Sequence, residues 1–203
     1  MIKSGSVNRN TVIILGLGIL FIGGIIFASN FSGERPFVPK QFSDARIEAA
    51  QTAEGIVSIS NESIANLQKI SEADKAGKYA DALNMALQEV GRNEEFGHLT
   101  DDLFNELILM TQSLSGIKPQ SAAEIGIQAI GGEMQLAQKL ADYKLSTSDL
   151  LNVIRSLYGG HAAAISKVNI NEIITKMNAD ASAVNALNKE YKGLMDKFDS
   201  LTK

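Results

Sequence analysis

The run Thr11 to Ser29, TVIILGLGILFIGGIIFAS, holds nineteen consecutive residues without a charge. At about 1.5 Å per residue, a helix of this length spans roughly the 30 Å hydrocarbon core of a bilayer. Residues 11–29 therefore read as a transmembrane anchor that crosses once, after a short tail over 1–10. The rival reading is a cleaved signal peptide, because Lys3 and Arg9 precede the run and Ala28 sits near a possible cleavage point. The run exceeds the usual signal core of roughly 7–15 residues, and Ile26 fits poorly two positions before Ala28, so the uncleaved anchor is favoured.

Orientation follows from basic residues close to the span. Lys3 and Arg9 lie before it; Arg35, Lys40 and Arg46 lie after it, diluted by Glu34, Asp44 and Glu48. The first ten residues contain no acid and add the terminal amine. The expectation is a protein of the cytoplasmic membrane with its N-terminus inside and its C-terminal domain extracytoplasmic. Gly24, Ala28 and Ser32 stand four apart, a small-residue row of the type that lets two membrane helices approach closely.

Beyond position 40 the chain carries 15 basic and 22 acidic residues, a net of −7. Such a surface repels phosphate backbones, which argues against nucleic acid as a partner. The absence of cysteine excludes disulfides, thiolate metal sites and a cysteine nucleophile. Only three prolines, Pro36, Pro39 and Pro119, interrupt the chain, and tryptophan is absent. An all-α fold is expected: one N-terminal transmembrane helix, a linker over residues 30–42, and an antiparallel bundle of about four long, partly segmented helices over 43–203.

The bundle is legible in its apolar spacing. From Asp44 to about Ser71, Ala50, Ala53, Val57, Ile64 and Leu67 form one stripe. A break at Ala73 to Gly77 precedes a helix carrying Tyr79, Leu83, Leu87 and Val90, which Gly91 or Gly97 would bend. The stretch from His98 to Gly116 aligns Leu99, Leu103, Leu107, Met110 and Leu114. Phe104, Ile108 and Leu109 widen that stripe, so it is expected to be the most buried helix. Ser121 with Glu124, and Ser146 with Asp149, resemble capping boxes, which would start one helix ending near Tyr143 and another ending at Gly159-Gly160. The last helix is the clearest, with Ile170, Ile173, Met177, Ala181, Val184, Leu187, Tyr191, Leu194, Phe198 and Leu201 in near-heptad spacing and Asn169 or Asn171 at its cap.

No constellation of chemically capable residues rises above this background. Glu95 and His98 have the Glu-x-x-His spacing of a metal-binding helix face, but a di-iron bundle needs that motif twice, and His161 has Leu157 and Tyr158 before it instead. His98 therefore reads as a surface or capping residue. Glu89, Glu94, Glu95, Asp101, Asp102 and Glu106 lack the loop pattern of a calcium site and read as a solvated helix face. Neither a nucleophile motif nor a phosphate-binding glycine loop is present. Gly131-Gly132 falls inside a helical pattern, as if for close packing or a bend. No catalytic residue, cofactor or metal is expected.

The sequence Gly77-Lys78-Tyr79-Ala80-Asp81-Ala82-Leu83 resembles the helix-pairing turn of tetratricopeptide repeats; occurring once, it implies one helix hairpin rather than a repeat array. Ile64-Ala65-Asn66-Leu67 with Ile70, then Asp74, Tyr79, Ala82-Leu83, Glu89 and Arg92-Asn93-Glu94, and later Leu150-Leu151-Asn152-Val153-Ile154, resemble uncharacterised, N-terminally anchored helical proteins of reduced-genome, candidate-phylum bacteria. That resemblance implies an anchor, a bundle and a bacterial envelope, with no assigned activity. The layout is also similar to the LemA family, without that family's arginine-rich, tryptophan-containing first helix. The expected function is a membrane-tethered, non-enzymatic interaction or scaffold module that binds a protein partner or itself. The alternative is an extracytoplasmic ligand-sensing bundle acting through a partner.

Overall fold

A computed structural model describes residues 35–158 and 170–203. Among the described residues there are four α-helices and no strands: α1 (Lys40–Lys75), α2 (Tyr79–Ser113), α3 (Gln120–Tyr158) and α4 (Ile170–Leu201). Sequential helices pack side by side and antiparallel: α1 on α2, α2 on α3, and α3 on α4. The ring of four is closed where Phe42 of α1 stacks on Phe198 of α4, with ring centroids 5.2 Å apart. The expected all-α antiparallel bundle is thus present. The expected anchor over 11–29 lies outside the described residues, and no helix among the described residues is long and apolar enough to cross a membrane.

The α1–α2 turn is set by Gly77, whose φ of 72° is left-handed. Its N–H donates to the Asp74 carbonyl at 3.0 Å, and that of Lys78 donates to the Ala73 carbonyl at 2.8 Å. This is the paired capping pattern in which a left-handed glycine satisfies the last carbonyls of a helix. The hairpin expected there is present. At the opposite end of the bundle, Phe37 and Lys118 exchange backbone hydrogen bonds of 3.1 and 2.8 Å, which ties the lead-in to α1 against the α2–α3 turn.

The helices are longer than the punctuation in the sequence implied. α1 begins at Lys40, inside the stretch expected to be linker. α2 runs unbroken through Gly91 and Gly97, and the side chain of Lys144 on α3 lies against Gly97. α3 runs unbroken through Ser146, which does not cap a new helix. Its hydroxyl donates back to the Asp142 carbonyl at 3.0 Å, and that of Thr147 donates to the Tyr143 carbonyl at 3.0 Å. Such back-bonding satisfies a hydroxyl inside a helix without ending it. Ser121 lies within the first turn of α3, Asn171 lies inside α4, and Asn169 is outside the described residues.

One continuous core links all four helices. On α4 the expected stripe is the inward face, with Ile173, Met177, Ala181, Val184 and Phe198 buried. On α1, Ala53 and Leu67 of the expected stripe are buried, but elsewhere the inward face lies one position earlier: Ala49, Ile56 and Ser63 are buried, whereas Ala50 is exposed and Val57 and Ile64 are half-buried. On the first half of α2 the correction is larger. The buried positions are Ala82, Ala86, Glu89, Asn93 and Phe96, while Leu87 is exposed and Leu83 and Val90 are half-buried. Small and polar residues face inward there because they meet small and polar partners on α1 and α3.

Candidate functional site

The polar interior of the bundle falls into layers. In the first, Glu89 of α2 is fully buried, with 0% of its surface exposed. Asn66 of α1 donates its Nδ2 to Glu89 Oε2 at 2.8 Å, and Arg92 donates to the same oxygen. Arg92 also reaches Glu62 on α1 at 3.4 Å. The expectation that Glu89 belongs to a solvated acidic face is therefore wrong: it is an anchor between helices. Beside it, Asn93 donates to Ser148 Oγ at 2.8 Å and to the Lys144 carbonyl at 3.1 Å, which fixes α2 on α3. Burial, and then the Glu89 charge, push the Tyr143 hydroxyl up to about 12.

A second layer spans α1, α3 and α4. Arg46 of α1 donates to both carboxylate oxygens of Asp199 on α4. Burial works most strongly against the charge on Arg46, but the Asp199 hydrogen bond and the nearby negative charge of Asp199, Tyr191 and Asp196 together outweigh it, and the guanidinium titrates above its ordinary value. Glu133 of α3 lies nearby with 4% of its surface exposed, and its Oε2 has no hydrogen-bond partner. Burial alone pushes that carboxyl up to about 8, so it is predominantly neutral at pH 7. Burial, and then the proximity of Glu133, also raise the titration of Tyr191.

A third group joins Lys139 of α3 to Asp142 at 3.0 Å and to the buried Asp180 of α4 at 3.3 Å. These two carboxylates hold the Lys139 ammonium above its usual value, and Lys139 in turn holds Asp142 below the usual carboxylate value. Carboxylates thus occur inside the bundle at three levels. Among the described residues, however, no three of His, Asp and Glu converge as a metal site. Glu95 and His98 are both exposed on α2, and His161 lies outside the described residues.

The surface is more informative about binding. Phe104, Ile108 and Leu109, expected to widen the buried stripe, are all exposed, because α2 presents only Leu103, Leu107 and Met110 to the core at that level. Ile127 and Leu145 on α3 are 55% and 56% exposed. Their separation is a whole number of helical turns, so they share one outward face. A second apolar feature lies between the start of α1 and the end of α2, where Ala45 and Leu109 line an open groove edged by Asp44, Glu48 and Glu106. No sequence signal distinguished these outward apolar residues from core, since both kinds repeat every three or four positions.

No protein-family model matches this chain, and neither a curated protein nor a solved structure does.

Proposed function

We propose that this chain is a membrane-tethered helical interaction module of the cell envelope, anchored by residues 11–29, which binds another protein through its outward helix faces without catalysing a reaction. The observation that carries this reading is the exposed apolar face of α3, where Ile127 and Leu145 stand more than half accessible on helices whose core is otherwise closed. Each large apolar side chain on this face gains about 25 cal/mol per Å² when a partner covers it. Long continuous helices give such a face rigidity, so little order is lost on docking.

Two experiments test it. A photo-reactive residue at Leu145, introduced into the full chain in cells, is expected to trap one defined protein. Lys176 is exposed and serves as a comparison site. Diffuse adducts of equal strength from Leu145 and Lys176 would reject the module. Topology is tested by Ser200→Cys, which creates a single thiol in a chain that has none. Labelling of intact cells by a membrane-impermeant maleimide is expected; labelling only after lysis would place the bundle on the cytoplasmic side.

A ligand-sensing bundle is the second reading, favoured by the unpartnered interior oxygens of Glu89 and Asp180, each of which offers an anchor to a small cationic molecule between helices. A ligand present at 100 times its dissociation constant would add about 2.7 kcal/mol to stability. Thermal unfolding of the protein across a set of amines and amino acids checks this, and the absence of any shift would count against it.

A further inference from the structure

Resting on the interaction reading, and giving it a partner chemistry, we infer that the groove between the N-terminal half of α1 and the C-terminal half of α2 docks a basic amphipathic helix of a partner protein. The floor of the groove is apolar, formed by Ala45 and Leu109, the latter 37% exposed. Its edges are acidic. Lys40, the one cation lining it, is engaged with Asp44 at 2.5 Å. Glu48 and Glu106 face each other across the groove with Asp102 one turn from Glu106, and these three carboxylates make no ion pair among the described residues. The crowding is felt at half-buried Glu106: burial, then Glu48, then Asp102 hold its carboxyl above the ordinary value.

An apolar floor between unneutralised carboxylates fits one kind of occupant. A helix lying lengthwise in the furrow between two antiparallel helices buries its apolar stripe on the floor. Lys or Arg on either side of that stripe then reaches Glu48, Glu106 and Asp102, which brings electrostatic complementarity and faster association. A second copy fits poorly, because a two-fold contact through this groove would bring the same carboxylates together. Phosphate-bearing partners, a lipid surface among them, meet the same repulsion.

The test uses the full chain in nanodiscs of zwitterionic lipid and two fluorescent helical probes of about 18 residues, or five turns. One is built of leucine and lysine, the other of leucine and glutamate. The leucine–lysine probe is expected to bind and the leucine–glutamate probe not to. The double substitution Glu48→Gln/Glu106→Gln is expected to weaken binding about tenfold or more, and Leu109→Ser to weaken it as well, with helical circular dichroism unchanged in both. Equal binding to these variants and to the natural chain, or equal binding of both probes, would overturn the groove. In cells, a photo-reactive residue at Leu109 is expected to trap a partner that Glu48→Gln/Glu106→Gln releases. Capture from Leu145 but not from Leu109 rejects the groove while the interaction module stands. Capture of a second copy from Leu109 rejects the basic partner, and capture from neither position removes both readings.

Discussion

Arg46 on α1 and Asp199 on α4 form a two-pronged ion pair, with Nη1 donating to Oδ1 at 2.6 Å and Nη2 to Oδ2 at 2.9 Å. Together with the Phe42–Phe198 stack it joins the first and last described helices, whose backbones make few close approaches to each other. Long side chains close this seam where the other three are closed by direct helix packing.

Breaking that pair from one side leaves a mostly buried charge without its counter-ion. Exposed pairs contribute roughly 0.2–1 kcal/mol, and stripping a buried one costs about 3–5. The two side chains are 27% and 18% exposed, which places this pair between those limits. Asp199→Asn is expected to lower stability by about 1–3 kcal/mol in urea unfolding. Arg46→Met combined with Asp199→Leu is expected to cost less than the sum of the single changes, because neither charge is then stranded. Additive losses would show that the pair contributes little to the seam.

Glu133 predicts how stability responds to pH. Below its ordinary value of 4.5 the carboxyl is protonated in both the folded and the unfolded chain. Between 4.5 and about 8 the unfolded chain has released a proton that the folded chain keeps. Stability therefore falls as pH rises through this window, by up to about 1.4 kcal/mol per unit, and levels off above it. Glu133→Gln keeps the shape and removes the titration. It is expected to flatten the slope and to stabilise the fold at pH 8 relative to the natural chain, as measured by unfolding at a series of pH values. An unchanged slope would place the titration elsewhere.

How much of this could be read in the sequence depended on which residues face inward. On α4 the core positions are Ile173, Met177, Val184 and Phe198, whose size makes the stripe unambiguous. On α1 many inward residues are Ala45, Ala49, Ser60 and Ser63, and hydropathy does not separate Ala49 from the exposed Ala50. On α2, Leu87 outranks Glu89 on any apolar scale, yet Glu89 is buried because Asn66 and Arg92 satisfy it, and that partnership exists only in the folded bundle. Gly97 and Ser146 look like punctuation in one dimension. In three, one faces the Lys144 chain and the other bonds back into its own helix. The apolar groove was hidden for the same reason, since Leu109 repeats at core spacing while facing outward.

The Glu89 layer predicts an asymmetry between its two partners. Arg92→Ala removes the cation and leaves a fully buried carboxylate with Asn66 as its remaining donor, so a loss of about 2–4 kcal/mol is expected. Glu89→Gln with Arg92 intact removes the buried charge and is expected to cost less, because the guanidinium is 27% exposed and still reaches Glu62. Chemical denaturation of the two variants compares them directly. A larger loss from Glu89→Gln than from Arg92→Ala would reverse the account of which charge is stranded.

Two glycines inside α3 separate close packing from idle flexibility. A Cβ at Gly126 would lie 2.9 Å from Leu114 Cδ2 and 3.5 Å from Phe198 Cε2, both on buried side chains, so the helices approach here because no side chain intervenes. A Cβ at Gly131 would meet nothing within 4 Å. The sequence expectation of close packing at Gly131-Gly132 therefore fails, and the close approach is at Gly126, about 140° round the helix from Gly131. In mid-helix, glycine costs roughly 0.5–1 kcal/mol relative to alanine through its greater freedom in the unfolded chain. Gly131→Ala is expected to raise stability by about that amount. Gly126→Ala should lose it, because Leu114 must move within a filled core. Thermal unfolding of the two variants should thus shift in opposite directions, and a loss at Gly131 would mean that something the bundle needs passes close to that face.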